Sequence, residues 1–276
     1  LFFYTEPFCM HVLKVILLAI LQGVTEFLPV SSSGHLVIAG RLLGIEQPGV
    51  RLETMLHFGT LVAVCLYYRQ RLWSLIRGVT RGERAAWRET GLLLLASLPI
   101  VVVYAVAHER LESYYEDPRL AAAILMVTGL LLLSLAFRRQ DTSRRAESEA
   151  APLGWWRALV IGLAQAVAIL PGISRSGSTI ATARHLGVAP RRAAEFSFLM
   201  SVPLLLGATL LHVIRPEPSA GSCTVGWGLI WLGTLVAALV GYASISFLIR
   251  VLSGGRFWLF GVYCLLVGGL VLLVGI

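Results

Sequence analysis

Charge is scarce in this chain. Only 14% of its 276 residues are Asp, Glu, Lys or Arg, well short of the quarter or so that a soluble globular surface carries. Acids are scarcer still, 15 against 23 bases. The net charge of +8 invites a nucleic-acid reading, but the bases fall in short loops between apolar segments, as the positive-inside rule predicts, so no nucleic-acid partner is expected. Cysteine is sparse too. Cys9, Cys65, Cys223 and Cys264 stand singly in or beside apolar segments; no metal-type spacing links them, and they read as small hydrophobes. A cleavable signal pattern is lacking at the start, and we assign nothing to the opening L-F-F-Y-T-E-P-F-C ahead of Met10.

What is present is hydrocarbon. Hydrophobic residues make up 57% of the chain and the mean hydropathy is +0.79. Apolar segments near the roughly 20 residues that a membrane span needs run over about 90–107, 119–137, 193–213, 226–249 and 257–276, with a shorter sixth at 53–68. The loop after the sixth holds Arg69, Arg71, Arg77, Arg81, Arg84 and Arg88 against Glu83 and Glu89, which places it in the cytoplasm. The linker over about 138–155 is basic and cytoplasmic as well, whereas Glu109, Glu112, Glu116 and Asp117 suit the outside. Trp155, Trp156, Trp227, Trp231 and Trp258 sit mostly near segment ends, where interfacial aromatics collect. His108, His185 and His212 carry no motif.

Two further apolar stretches are broken, and in the same way. Q-G-V-T-E-F-L-P-V-S-S-S-G-H runs from Gln22 to His35, and Q-A-V-A-I-L-P-G-I-S-R-S-G-S-T from Gln165 to Thr179. Each halts at Leu-Pro, where a helix must stop or kink, then opens into Ser and Gly. Backbone interrupted inside a bilayer is tolerated only where protein buries it or a cavity receives it. Residues 12–29 with 33–44, and 156–170 with 176–187, therefore read as two re-entrant half-helix hairpins. Three full spans separate them, so the second copy is inverted relative to the first. The expected fold is an all-α polytopic membrane protein of one domain, with six full transmembrane helices and two re-entrant hairpins. Its repeats cover about 12–137 and 156–276. E-T-M-L-H from Glu53 and E-F-S-F-L from Glu195 open the span after each hairpin; Glu53, His57 and Glu195 there either support the site or cap at the interface. Paired breaks of this kind point to a midplane binding site.

The chemistry collects at the breaks. A helix N-terminus offers free N–H groups and partial positive charge, a ready anion site. Ser31, Ser32 and Ser33 precede one half-helix, and Ser174, Ser176 and Ser178 surround the start of the other. Arg175 stands among them; an arginine inside a membrane is costly and implies function, and its planar fork suits phosphate. Gly172, Thr179 and these serines complete a phosphate or diphosphate pocket. Gln22 and Glu26, four apart, share a helix face, and Glu26 suits a base or a ligand for a hard cation. His35, one turn past the serines, suits a base, nucleophile or acid.

These two motifs resemble the signatures of the bacitracin-resistance family of undecaprenyl-diphosphate phosphatases, and the resemblance runs over essentially the whole chain. It implies a bacterial inner-membrane enzyme whose site faces the periplasm. Such an enzyme hydrolyses a polyprenyl diphosphate lipid to the monophosphate and inorganic phosphate, recycling the carrier for cell-wall synthesis. It also implies a divalent cation, Mg or Ca. By motif, Glu26, Ser32, His35 and Arg175 are the expected catalytic residues, with Ser32 or His35 as nucleophile. Glu26 and, more weakly, Gln22 are the expected metal ligands; Gln22 stands where the family often has Glu, which weakens any two-carboxylate scheme. A rival reading is a lipid-phosphate or anion transporter, since inverted repeats with broken helices are also carrier architecture. Membrane lipid is the expected surrounding, and a homo-oligomer is left open.

Overall fold

The computed structural model describes residues 8–42, 50–112, 117–136, 153–214 and 226–275, and every regular element among them is an α-helix. They are α1 (Phe8–Thr25), α2 (Ser32–Leu42), α3 (Val50–Tyr67), α4 (Arg69–Thr80), α5 (Arg84–Glu112) and α6 (Pro118–Leu133), then α7 (Trp155–Val167), α8 (Arg175–His185), α9 (Pro190–Ile214), α10 (Trp227–Ser253) and α11 (Leu259–Val274). Stretches of α5, α9 and α10 are long and apolar enough to cross a membrane; Leu52–Tyr67, Pro118–Leu133 and Leu259–Val274 are apolar but shorter. Their outward faces are greasy. Leu94, Leu98, Val106, Leu239 and Leu266 are all exposed, a surface that only lipid covers without penalty. Most of the basic linker, Glu109 and Glu112 with Glu116, Cys9, Cys223, His108 and His212 lie outside the described residues or side chains.

A pair of packed helices stands at each of the two expected breaks. Helix α1 packs on α2 and α7 on α8, each pair joined through a short turn at its Leu-Pro. One expectation is corrected: the basic stretch after α3, read as a loop, contains α4. Leu72, Leu75 and Val79 recur at i, i+3 and i+7 and turn inward, Leu75 being buried. Six arginines in and after it hid that period from a reading weighted by charge.

Helix α1 lies against α10, a helix of the second half, while α7 lies against α5, a helix of the first. Small residues set these crossings, as they do in membranes generally. A Cβ at Gly162 would stand 2.4 Å from the Ala96 carbonyl oxygen, and one at Gly59 2.4 Å from that of Thr234. Helices α6 and α11 meet reciprocally, each at a glycine whose added Cβ would strike the other's backbone carbonyl, Gly129 on Gly261 and Gly261 on Gly129. Backbones this close leave no room for lipid between the two halves. The turns of both hairpins are consequently wrapped in protein, which meets the requirement for interrupted backbone. Phe27, at the first turn, is fully buried and packs edge-on against Phe198 of α9, ring centroids 5.5 Å apart.

Candidate active site

The hairpin tips meet. Helix α1 ends at Thr25, and the Glu26 amide still bonds the Gln22 carbonyl at 2.9 Å, so Glu26 keeps the helical register while the chain turns away at Leu28-Pro29. Ser31 then adopts φ 67°, the one left-handed non-glycine among the described residues, a conformation that costs on the order of 1–3 kcal/mol outside glycine. Its hydroxyl accepts from the Gly34 amide at 3.3 Å and so caps α2. Ser174 caps α8, accepting from the Gly177 amide at 3.0 Å. Across the junction the Ser176 hydroxyl donates to the Leu28 carbonyl at 3.2 Å, and a Cβ at Gly34 would sit 3.2 Å from Gly172 Cα.

Gly172 has φ 97°, and a Cβ there would lie 2.3 Å from the Ala121 carbonyl oxygen. Only glycine allows the second turn to lie on α6. Thr128 of α6 then holds the turn from both sides. Its hydroxyl donates to the Gly172 carbonyl at 2.8 Å and accepts from the Ser174 amide at 3.1 Å.

Glu26 is the hub. Arg175 Nη2 donates to Glu26 Oε1 at 2.5 Å, while the Ser32 hydroxyl and Gln22 Nε2 donate to Oε2 at 2.9 and 3.0 Å. The Glu26 side chain is 6% exposed and that of Arg175 13%. Such a pair loses far more hydration than a surface ion pair, and removing one partner strands the other. Arg175 Nη1 is buried with no partner of its own, an unspent donor on the only cation of the tip. Thr25, Glu26, Ser31, Ser32, Ser33, Ala168, Ile173, Ser174 and Arg175 line a small, partly open cavity here. The first turns of α2 and α8 both border it, so their unpaired amides add donors.

The other expected residues stand further off. His35 faces away from Glu26. Its Nδ1 lies 2.8 Å from the Ser31 carbonyl and its Nε2 2.9 Å from the Tyr263 hydroxyl, with the two rings stacked at 5.7 Å. Thr179 is fully buried, its hydroxyl 2.6 Å from that of Ser197 and 2.8 Å from the Arg175 carbonyl. Ser176 faces Leu28, and Gly172 serves the turn. None of these four lines the cavity. His57 does approach: its Nε2 is 3.8 Å from Glu26 Oε2, and its Nδ1 is held by the Glu53 carbonyl at 2.9 Å. Tyr263 and Thr128 were missed by sequence reasoning. Thr128 had a signal, being the one hydroxyl within the apolar helix α6; Tyr263, in the second turn of the apolar helix α11, had little.

For a metal ion the site offers few protein ligands. Among the described residues no three His, Cys, Asp or Glu cluster. Yet Gln22 Oε1 is buried and unpartnered, an acceptor left over once Nε2 is spent on Glu26. One carboxylate and one amide oxygen fit a hard cation that draws its remaining oxygens from a phosphate ligand and water, the usual manner for Mg²⁺.

A helical membrane protein with a pocket lined by arginine, glutamate and serine between two broken helix pairs is the class defined by these features. The profile of the family described as bacitracin resistance protein BacA matches residues 15–270, and the chain belongs to that family. It is similar to proteins named undecaprenyl-diphosphatase from Desulfatibacillum aliphaticivorans (37% identity over 95% of this chain and 98% of the relative) and Desulfosudis oleivorans (38%, 96% and 99%). A third relative of that name, from Halothermothrix orenii, is 35% identical over 96% of this chain and 98% of its own length.

Proposed function

We infer that this protein is an undecaprenyl-diphosphate phosphatase, releasing inorganic phosphate and returning undecaprenyl monophosphate to cell-wall synthesis. The observation that carries the reading is Glu26 held between Arg175 at 2.5 Å and Ser32 at 2.9 Å. Cation, carboxylate and hydroxyl, drawn from both hairpins, border one cavity, and the relatives' name supplies the substrate. A carrier has use for the arginine but none for a carboxylate bonded to a serine.

In this reading the terminal phosphoryl group enters the cavity and takes the free donors, Arg175 Nη1 and those first-turn amides of α2 and α8 that the Ser31 and Ser174 caps leave unpaired. Phosphoryl transfer asks for positioning and charge stabilisation more than for covalent chemistry, and these groups are preorganised for it. Ser32 Oγ attacks the terminal phosphorus as Glu26 takes its proton. The bridging P–O bond breaks, and polyprenyl monophosphate leaves with the electron pair. Water then cleaves the phosphoserine and frees phosphate. Glu26 and Gln22 Oε1 are the residues that would hold a divalent cation, whose chemistry is to neutralise diphosphate charge. His35 acts on the shape of the Ser31 turn in this scheme, with Ser32 as the nucleophile. The site opens toward the periplasm of the inner membrane, and the prenyl chain lies in lipid along apolar helix faces.

The inverted repeat belongs to the same reading. It is supported by the exchanged packing of α1 on α10 and α7 on α5, and by half-helices α2 and α8 of equal length, 11 residues each. Six spans and two re-entrant hairpins in one domain then follow, with α4 at one membrane surface.

The test is phosphate release from undecaprenyl diphosphate by purified protein in detergent, with and without EDTA. Wild type should turn over, EDTA should suppress it, and Ser32→Ala and Glu26→Gln should each lose about 10³-fold or more, the scale of a lost nucleophile or base. Full activity in Ser32→Ala would refute the nucleophile; no release by wild type would leave a carrier.

A further inference from the structure

Helix α4 solves a packing problem on its inner side and creates one outside. It follows α3 directly and leads through residues 81–83 into α5, a membrane-crossing helix. Twelve residues are far too few to span, so α4 lies at a membrane surface. Its inner face is well seated: Leu75 and Gly78 are buried, and a Cβ at Gly78 would stand 2.5 Å from that of Ala86 on α5. Its outer face carries Trp73 and Ile76, 57% and 55% exposed, and Trp87 in the first turn of α5 is 57% exposed as well. More than half of the surface of each of these three residues is left uncovered. Arg77 lies over the Trp73 ring, its guanidinium carbon 5.4 Å from the centroid, and Arg81 and Arg84 follow in the turn, exposed.

The charge pattern says what the occupant is. Arg71, on the same helix, is consumed internally by Glu89 and Glu195. Arg77, Arg81 and Arg84 meet no carboxylate among the described residues. Three guanidinium groups, against the single Glu83 carboxylate of the intervening turn with which none of them pairs, therefore rim an apolar, tryptophan-bearing face at the level where hydrocarbon gives way to headgroups. Water would penalise the tryptophans, and bare hydrocarbon the arginines. We propose that α4 and the first turn of α5 form a docking surface for anionic phospholipid, with Trp73, Ile76 and Trp87 in the acyl boundary and Arg77, Arg81 and Arg84 on headgroup phosphates. Guanidinium pairs well with phosphate, and tryptophan prefers the interfacial layer. The surface is separate from the catalytic cavity and independent of the proposed reaction.

The experiment uses the whole protein in phosphatidylcholine vesicles containing a minor fraction of phosphatidylglycerol, with bromine on the acyl chains of one lipid or the other. The quenching difference between wild type and Trp73→Phe/Trp87→Phe isolates these two tryptophans. Brominated phosphatidylglycerol should quench them beyond its bulk share, each arginine being worth about fivefold in local lipid affinity. Arg77→Gln/Arg81→Gln/Arg84→Gln should bring quenching back to the bulk share. Should that variant fail to fold, the triple Lys variant serves instead: it keeps the preference, and molar salt erases it. Quenching by each lipid in proportion to its bulk share in wild type overturns the proposal, as does a preference that survives loss of the arginines. Absence of quenching by either lipid overturns it too, leaving water or a protein partner over α4.

Discussion

At the residue scale the question is what each donor on Glu26 does. Arg175 presents one guanidinium nitrogen to Glu26 and keeps another buried and unpartnered. A lysine supplies the charge but only a single point of contact. Arg175→Lys should therefore still fold, and should lower kcat/KM for phosphate release by about 10²-fold, a few kcal/mol of the kind lost with one oriented donor. Steady-state kinetics on detergent-purified protein would check this; an unchanged kcat/KM would mean that the fork is not used. Tyr263 makes a second case. The Ser31 carbonyl can only accept, so His35 Nδ1 carries the hydrogen there, and in the neutral ring Nε2 accepts from the Tyr263 hydroxyl. The chain of bonds ends on the residue with φ 67°, directly before Ser32. Tyr263→Phe leaves Nε2 unpaired and relaxes that turn. A fall of about tenfold in kcat with KM little changed is expected, since a single hydrogen bond is worth roughly 1–2 kcal/mol.

At the element scale, the hairpins were legible because proline is unambiguous. Leu-Pro followed by Ser and Gly, twice, announces two breaks, and the structure ends α1 and α7 within a few residues of them. Glu26 and Arg175 were legible as site candidates because charge has few reasons to enter hydrocarbon. His35 was legible as important but not as to its direction, because a helix position gives a face and not the neighbour across it. The neighbour is Tyr263, more than two hundred residues away in the chain. The direction of Thr179 was hidden for the same reason, its hydroxyl going to Ser197 of α9. The turn of the second hairpin supplies its own test. Gly172→Ala puts a Cβ 2.3 Å from a backbone oxygen at φ 97°, adding strain to overpacking. A loss of about 3 kcal/mol or more is expected, visible as a drop of roughly 6–12 °C in the detergent melting temperature. Gly91→Ala is the control. It lies in α5 with nothing within 4 Å of the added atom, and should stay within about 1 kcal/mol of wild type.

At the scale of the whole molecule, the two halves must be held in register for Glu26 and Arg175 to meet. Glycine contacts bring the helices close, but close packing alone permits sliding along the crossings. A directional fastener exists away from the site. Arg71 of α4 bonds Glu195 of α9 at 2.9 Å and also Glu89 of α5, while Arg192 of α9 bonds Glu195 at 2.6 Å and Glu89 at 2.8 Å. Charges alternate around this ring, and it joins α4 and α5 of the first half to α9 of the second. Helix α9 also carries Ser197, which holds Thr179 below Arg175, and Phe198, which packs on Phe27 beside Glu26. The ring thus anchors the helix on which both halves of the site lean. Its arginines are about a third exposed, so each contact is weaker than a buried pair but stronger than an isolated surface one. Glu89→Gln takes a charge from both arginines at once and should cost about 1–2 kcal/mol, lowering the melting temperature by roughly 2–8 °C. If the ring only fastens, turnover per folded molecule measured well below that melting point stays near wild type. Glu89→Lys, which places three bases against one acid, should lose both fold and turnover, and Arg192→Glu on the same chain should restore part of each. Unaltered melting in Glu89→Lys would show that the helix crossings alone hold the halves together.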